Sequence, residues 1–156
     1  MTIAELLPGE QRTLVVAWQL RGIEAMKTAR KRVLIADCHE EVLITLERML
    51  EDEGFDTRTV WTAKDALHLL ASEAFDLVLV NEYLPDAECE DILRALQRKG
   101  GRTLCIVMQP SAPEITDFSD LESLGATDVV CKYAYRHIVE VVNECLVCGK
   151  KNSLVA

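Results

Sequence analysis

Two groups of residues in this chain have the types and spacing for chemistry. Cys145 and Cys148 form a C-x-x-C pair just ahead of Gly149-Lys150-Lys151. Two thiolates so spaced can grip one half of a zinc ribbon or knuckle, but a tetrahedral site needs four ligands and no second C-x-x-C is present. The plainer alternative places both cysteines one turn apart at the end of a helix, with Gly149 as its stop and the lysines complementing its dipole. The second group is dispersed: Asp37-Cys38, Asn81-Glu82, Gln109 and Lys132 each follow directly on an apolar run. Brought together, Asp37 and Lys132 would satisfy each other's charge, and removing either would strand the other. His39, His68 and His137 cluster neither with the thiols nor with one another along the chain, and none is expected to be a ligand. The sequence holds no glycine-rich phosphate loop, serine-centred nucleophile motif or paired acid–base arrangement, so no enzymatic activity is expected.

The elements that must position these residues follow from two alternating periodicities. Val33-Leu34-Ile35-Ala36 is a short β-rich run; after it Val42, Leu46, Met49 and Leu50 recur at helical spacing over 40–53, until Gly54 stops the pattern. The pair then repeats. Thr57 to Trp61 alternates like a strand, and Thr62-Ala63-Lys64-Asp65 offers an N-cap for a helix carrying Ala66, Leu67, Leu69 and Leu70. Leu77-Val78-Leu79-Val80 is apolar on both faces, as a central parallel strand must be, and Ile92, Leu93 and Leu96 mark the helix after it. A fourth strand is predicted over 103–108, a helix over 113–124 stopped by Gly125, a fifth strand at Val129-Val130-Cys131 and a last helix from Tyr135 to about Cys148. The order is five βα pairs. Such alternation implies right-handed crossovers and a doubly wound, parallel five-stranded sheet of the α/β class, with sites at the carboxyl ends of the strands. Those ends are where Asp37-Cys38, Asn81-Glu82, Gln109 and Lys132 fall. Glu82, next to Asn81, is expected to face the opposite way, outward at the loop.

Composition bounds the rest. The 156 residues amount to one domain, and they carry a formal net charge of -9 with 49% apolar residues. Charge is unevenly spread, +3 over residues 1–32, -14 over 33–148 and +2 beyond. An extension over 1–31, a globular body over 32–148 and a tail over 149–156 are therefore expected. The extension reads as a helix opening near Pro8-Gly9-Glu10 and carrying Leu14, Val15, Trp18 and Met26. No apolar stretch approaches the roughly 20 residues that span a bilayer, and the N-terminus has no basic start leading into an apolar run. The expectation is a soluble, cytoplasmic protein with no membrane partner, and the acidic balance argues against nucleic acid. Without a signal peptide, the six cysteines are read as free thiols.

Four strings give the body a family likeness: VLIADC at 33–38, DLVLVNEYLP at 76–85, IVMQPS at 106–111 and GATDVVCK at 125–132. In their order and spacing the chain resembles the receiver domain of bacterial response regulators, the CheY-like family, with its flavodoxin-like fold, over about 32–148. The resemblance implies a pocket in which two acids after strand one bind Mg²⁺, an Asp ending strand three accepts phosphate, a Thr or Ser follows strand four and a Lys follows strand five. Matched residue by residue, that pocket is largely dismantled. Asp37 keeps the first acid and Lys132 the lysine. The second acid is Cys38, the phosphoacceptor is Asn81 and the hydroxyl is Gln109; the aromatic switch position is Val129, and Tyr133 stands where a proline usually follows the lysine. Hard Mg²⁺ prefers oxygen ligands, so its binding is expected to be weak or lost and no cofactor is expected. A carboxamide lacks the anionic oxygen that forms an acyl phosphate.

These readings lead to a pseudo-receiver that works by protein contact, independent of phosphorylation. Two alternatives stay open: a phosphorelay receiver that still takes phosphate through an altered pocket, and a thiol or zinc regulator built on Cys145 and Cys148. On the last helix Ile138, Val141, Val142 and Cys145 form a core stripe, while Val139, Leu146 and Val147 widen the apolar arc beyond it. With Trp18 they are the interface candidates, facing a partner, a second copy in a homodimer, or the N-terminal extension.

Overall fold

The computed structural model describes residues 16–17, 30–111 and 115–148, the side chains at 115–117 excepted. The chain divides into two compact units, Met1–Arg30 and Lys31–Ala156. In the first, residues 16 and 17 are helical. The rest of the expected N-terminal helix, Trp18 included, and the tail at 149–156 lie outside the described residues.

In the second unit five strands alternate with five helices. The order is β1 (Arg32–Ala36), α1 (Glu40–Asp52), β2 (Asp56–Val60), α2 (Ala63–Ser72), β3 (Leu77–Asn81), α3 (Cys89–Arg98), β4 (Leu104–Gln109), α4 (Ile115–Ser123), β5 (Asp128–Cys131) and α5 (Tyr135–Leu146). All strand pairs are parallel in the order β2-β1-β3-β4-β5, which makes this a doubly wound α/β sheet of the flavodoxin-like type. The chain leaves β1 for β2 on one side and returns to β3 on the other, so strand order reverses between β1 and β3.

Side-chain alternation sorts the core into two layers. Val33, Ile35, Leu77, Leu79, Ile106, Met108 and Val130 pack against Leu46 and Leu50 of α1 and Ile138 and Val142 of α5. On the opposite face Leu34, Ala36, Val78, Val80, Cys105, Val107 and Val129 meet α2, α3 and α4. Every residue of β3 is buried, as its apolar sequence demands, and each such Val or Leu contributes about 1.5–3 kcal/mol relative to exposure.

Local signals set the helix ends. Thr62 caps α2 by accepting the Asp65 N–H at 3.1 Å, as its sequence predicts. A second cap comes from across the sheet edge, where the Asp86 carboxylate accepts the N–H groups of Ala63 at 2.8 Å and Lys64 at 2.9 Å. Gly125 follows α4 at φ +102°, a conformation other residues rarely adopt. Strand β4 begins at Leu104, one residue later than predicted, because Thr103 turns its hydroxyl to the Phe75 carbonyl at 2.9 Å.

The last helix corrects one expectation. Val139 is buried at 7% exposure and Leu146 packs partly buried against the same layer, so the domain's own core takes up most of the apolar arc. A helix seated in the angle between the sheet and α1 is covered over a wider arc than one lying on a flat face. Val147, at 70% exposure just past the helix, is the part of that arc left open.

Candidate functional site

Register brings the site together. Ala36 stands level with Val60 and Val80, Asn81 with Met108, and Gln109 with Cys131. Ladder-like bonds continue past the strands, from Asp37 N to Val60 O at 3.2 Å, Glu82 N to Met108 O at 2.9 Å and Lys132 N to Gln109 O at 2.7 Å. Asp37, Asn81, Gln109 and Lys132 therefore collect at one sheet edge, and all four are buried. Alternation puts Asp37 and Asn81 on the face shared with α1 and α5, and Gln109 on the other.

The centre is a buried ion pair. Lys132 Nζ lies 3.0 Å from Asp37 Oδ2 and donates to Oδ1 at 3.2 Å, with the two side chains 2% and 0% exposed. Oδ1 also accepts the His39 backbone N–H at 2.9 Å, and the His39 ring approaches it at the same distance through Nδ1. Oδ2 has the ammonium beside it but accepts no well-directed hydrogen bond. Nδ1 of His39 is in turn 3.0 Å from Lys132 Nζ and 3.5 Å from Cys38 Sγ. The ammonium lies 5.5 Å from the Tyr133 ring centroid, within cation–π range, while the ring itself is mostly exposed.

The remaining pocket positions are turned to local partners. Asn81 donates its amide to the Tyr83 carbonyl at 2.8 Å. Gln109 donates to Glu82 Oε1 at 3.1 Å, leaving its own buried Oε1 without a partner. Val129, at the switch position, is locked in the core layer against α2 to α4. The donor atoms gathered here are one carboxylate, one thiol and one imidazole, whereas hard Mg²⁺ binds best to several oxygens.

Two residues of this edge escaped the sequence reading. His39 clusters with neither the C-x-x-C thiols nor the other histidines along the sequence; its place two residues after Asp37, past the end of β1, is the signal that marks it. Glu82 faces away from Asn81, as alternation requires, and on that opposite face its half-buried carboxylate accepts from the Gln109 amide at 3.1 Å. Cys145 is buried in the core layer and Cys148 is exposed beyond α5. Among the described residues the group able to hold a metal is Asp37, Cys38 and His39. Burial pushes the Cys89 thiol up to about 12 and the Cys105 thiol higher still, which makes both inert hydrophobes.

Comparison with known proteins agrees with this geometry. The response regulator receiver domain family matches residues 33–143. The DNA-binding response regulator MtrA of Mycolicibacterium smegmatis is 34% identical over 108 residues, 69% of this chain and 46% of MtrA. The response regulator protein PilR of Pseudomonas aeruginosa is 35% identical over 75 residues, 48% of this chain and 17% of PilR. This chain thus spans less than half the length of either relative. Among solved structures, a CheY-like receiver domain protein from Methanospirillum hungatei superposes with a TM-score of 0.68 at 28% identity, covering 76% of this chain and 94% of that one. A Francisella receiver domain superposes with a TM-score of 0.70 at 20% identity, covering 78% and 100%. With the sheet order, the strand-end lysine and the family match over most of its folded body, the chain belongs to the response regulator receiver domains of two-component signalling.

Proposed function

We propose that this receiver domain is a pseudo-receiver, a regulatory module that acts by protein contact without being phosphorylated. Receiver domains are signalling modules, and response regulators work by contacting other proteins; the proposal concerns how this one is switched. The observation that carries it is the state of Asn81. It occupies the acceptor position at the end of β3, its amide is committed to the Tyr83 carbonyl at 2.8 Å, and a carboxamide offers no anionic oxygen for acyl phosphate formation. The lysine that would bond a phosphoryl group is already paired with Asp37 at 3.0 Å. Phosphoryl transfer relies on positioning and charge neutralisation, so a missing nucleophile together with a thiol in place of an acid removes the reaction. Mg²⁺ binding is accordingly weak or lost. The partner is a protein, which includes a second copy of this chain, and the setting is cytoplasmic.

Incubation with acetyl phosphate and Mg²⁺, read by intact mass, tests the reading. No phosphoryl adduct is expected. A stoichiometric adduct on any residue of the pocket overturns it.

A further inference from the structure

We infer that Asp37, Cys38 and His39 form a binding site for Zn²⁺, an ion of different class from the Mg²⁺ that the family pocket implies. One carboxylate oxygen, one thiolate and one imidazole nitrogen, each from a consecutive residue, lie within 4.8 Å of one another. Oxygen, sulfur and nitrogen together suit a borderline-soft cation far better than a hard one. One of the three separations already suits it. Zn–S and Zn–N bonds of about 2.3 and 2.0–2.1 Å put tetrahedral S and N ligands about 3.5–3.6 Å apart, and Cys38 Sγ is 3.5 Å from His39 Nδ1. The Nδ1 to Oδ1 separation, 2.9 Å, has to open by roughly a few tenths of an ångström to match the same geometry.

A second observation comes from the hydrogen-bond inventory. His39 Nδ1 faces Asp37 Oδ1 at 2.9 Å and Lys132 Nζ at 3.0 Å, an acceptor and a donor at once. One ring nitrogen serves a single role: with its proton it opposes the ammonium, and without it its lone pair opposes the carboxylate. The fully buried Asp37 Oδ2 has the Lys132 ammonium 3.0 Å away but accepts no well-directed hydrogen bond. A dication bonded to the lone pairs of Nδ1, Sγ and the carboxylate removes the mismatch at Nδ1. Cys38 is partly exposed and the His39 side chain is 57% exposed, which leaves an entry path and a fourth position for water.

Lys132 is the competitor. Its ammonium stands within 3.2 Å of both Asp37 oxygens and 3.0 Å from Nδ1, so Zn²⁺ enters only as Nζ retreats on its flexible stem. This gives the site an unusual signature, in which removing a neighbouring cation strengthens metal binding.

The test uses the full chain with Zn²⁺, and with Co²⁺ as a spectroscopic probe, in the absence of any phosphodonor. Expected are one Zn²⁺ per chain and a thiolate-to-cobalt charge-transfer band. Cys38→Ser should abolish the band, His39→Ala should weaken Zn²⁺ binding about tenfold or more, and Lys132→Met should tighten it. Cys148→Ser, which alters an exposed thiol elsewhere, should change nothing. Absence of bound Zn²⁺, a band that survives Cys38→Ser, or a band lost in Cys148→Ser overturns the inference. Circular dichroism of each variant separates lost binding from lost fold. None of these outcomes depends on whether Asn81 accepts phosphate.

Discussion

Lys132 Nζ sits 3.0 Å from Asp37 Oδ2 across the carboxyl edge of the sheet, joining residues 95 positions apart with almost no exposure to solvent. Both charges have left water, and each is compensated mainly by the other. The pair is thus a structural clamp between β1 and the β5–α5 turn.

Breaking the clamp from one side is expected to be expensive. Lys132→Ala should lower unfolding free energy by about 3–5 kcal/mol in urea denaturation, because it leaves Asp37 buried and unpaired. The double variant Asp37→Asn, Lys132→Met should recover most of that loss. If the single change costs under about 1 kcal/mol, the pair behaves like an exposed one and the clamp is not structural.

Restoring the pocket chemistry should restore the reaction. A Cys38→Asp, Asn81→Asp, Gln109→Thr variant supplies the second acid, the nucleophilic carboxylate and the hydroxyl beside the existing Asp37 and Lys132. It is expected to gain one phosphoryl mass from acetyl phosphate and Mg²⁺, where the parent gains none. A folded triple variant that stays unmodified would contradict this.

Asp128, at the start of β5, should make stability fall with rising pH. Burial pushes its carboxyl above the ordinary 3.8, with the Val129 N–H and His137 acting in the opposite sense and Glu144 in the same one. The folded state therefore holds this proton to higher pH than the unfolded state. Its contribution to stability is fully present below the ordinary value and is lost as pH rises through the folded one. Asp128→Asn keeps an oxygen for the Val129 N–H, now 2.8 Å away, and should raise Tm at pH 7 by an amount that vanishes towards pH 3.8. An equal or lower Tm at pH 7 would contradict this.

The N-terminus of α2 has the reverse acid response. Backbone N–H groups of Lys64 and Ala63 hold the Asp86 carboxyl below its usual range. Its contribution is present above the ordinary 3.8 and is lost as pH falls through the depressed value. Asp86→Asn should flatten the acid limb of the stability profile below about pH 4. Thr62→Ala, which removes the other cap, should cost about 1 kcal/mol at all pH values.

Much of this protein was legible in the chain because the relevant physics is local. Alternation and helical spacing placed all five strands and five helices to within a few residues, and the apolar run at 77–80 required cover on both faces. The strand ends then named Asp37, Asn81, Gln109 and Lys132 as neighbours, since parallel strands in register bring their carboxyl ends level. What the sequence alone did not reveal depends on distances across the fold. Whether Val139 faces solvent is decided by how α5 sits against α1, and no periodicity within α5 encodes that. Alternation puts Glu82 on the face opposite Asn81, but only the register of β3 with β4 brings it beside Gln109, 27 positions away. His39 has no motif in the chain; it becomes part of the site because Lys132, 93 residues away, is brought within 3.0 Å of its ring. Sequence determined the elements and the residue types at the edge of the sheet, whereas tertiary structure decided which of those groups share a hydrogen bond or a charge, because such interactions fall off over a few ångströms that only the packed fold sets.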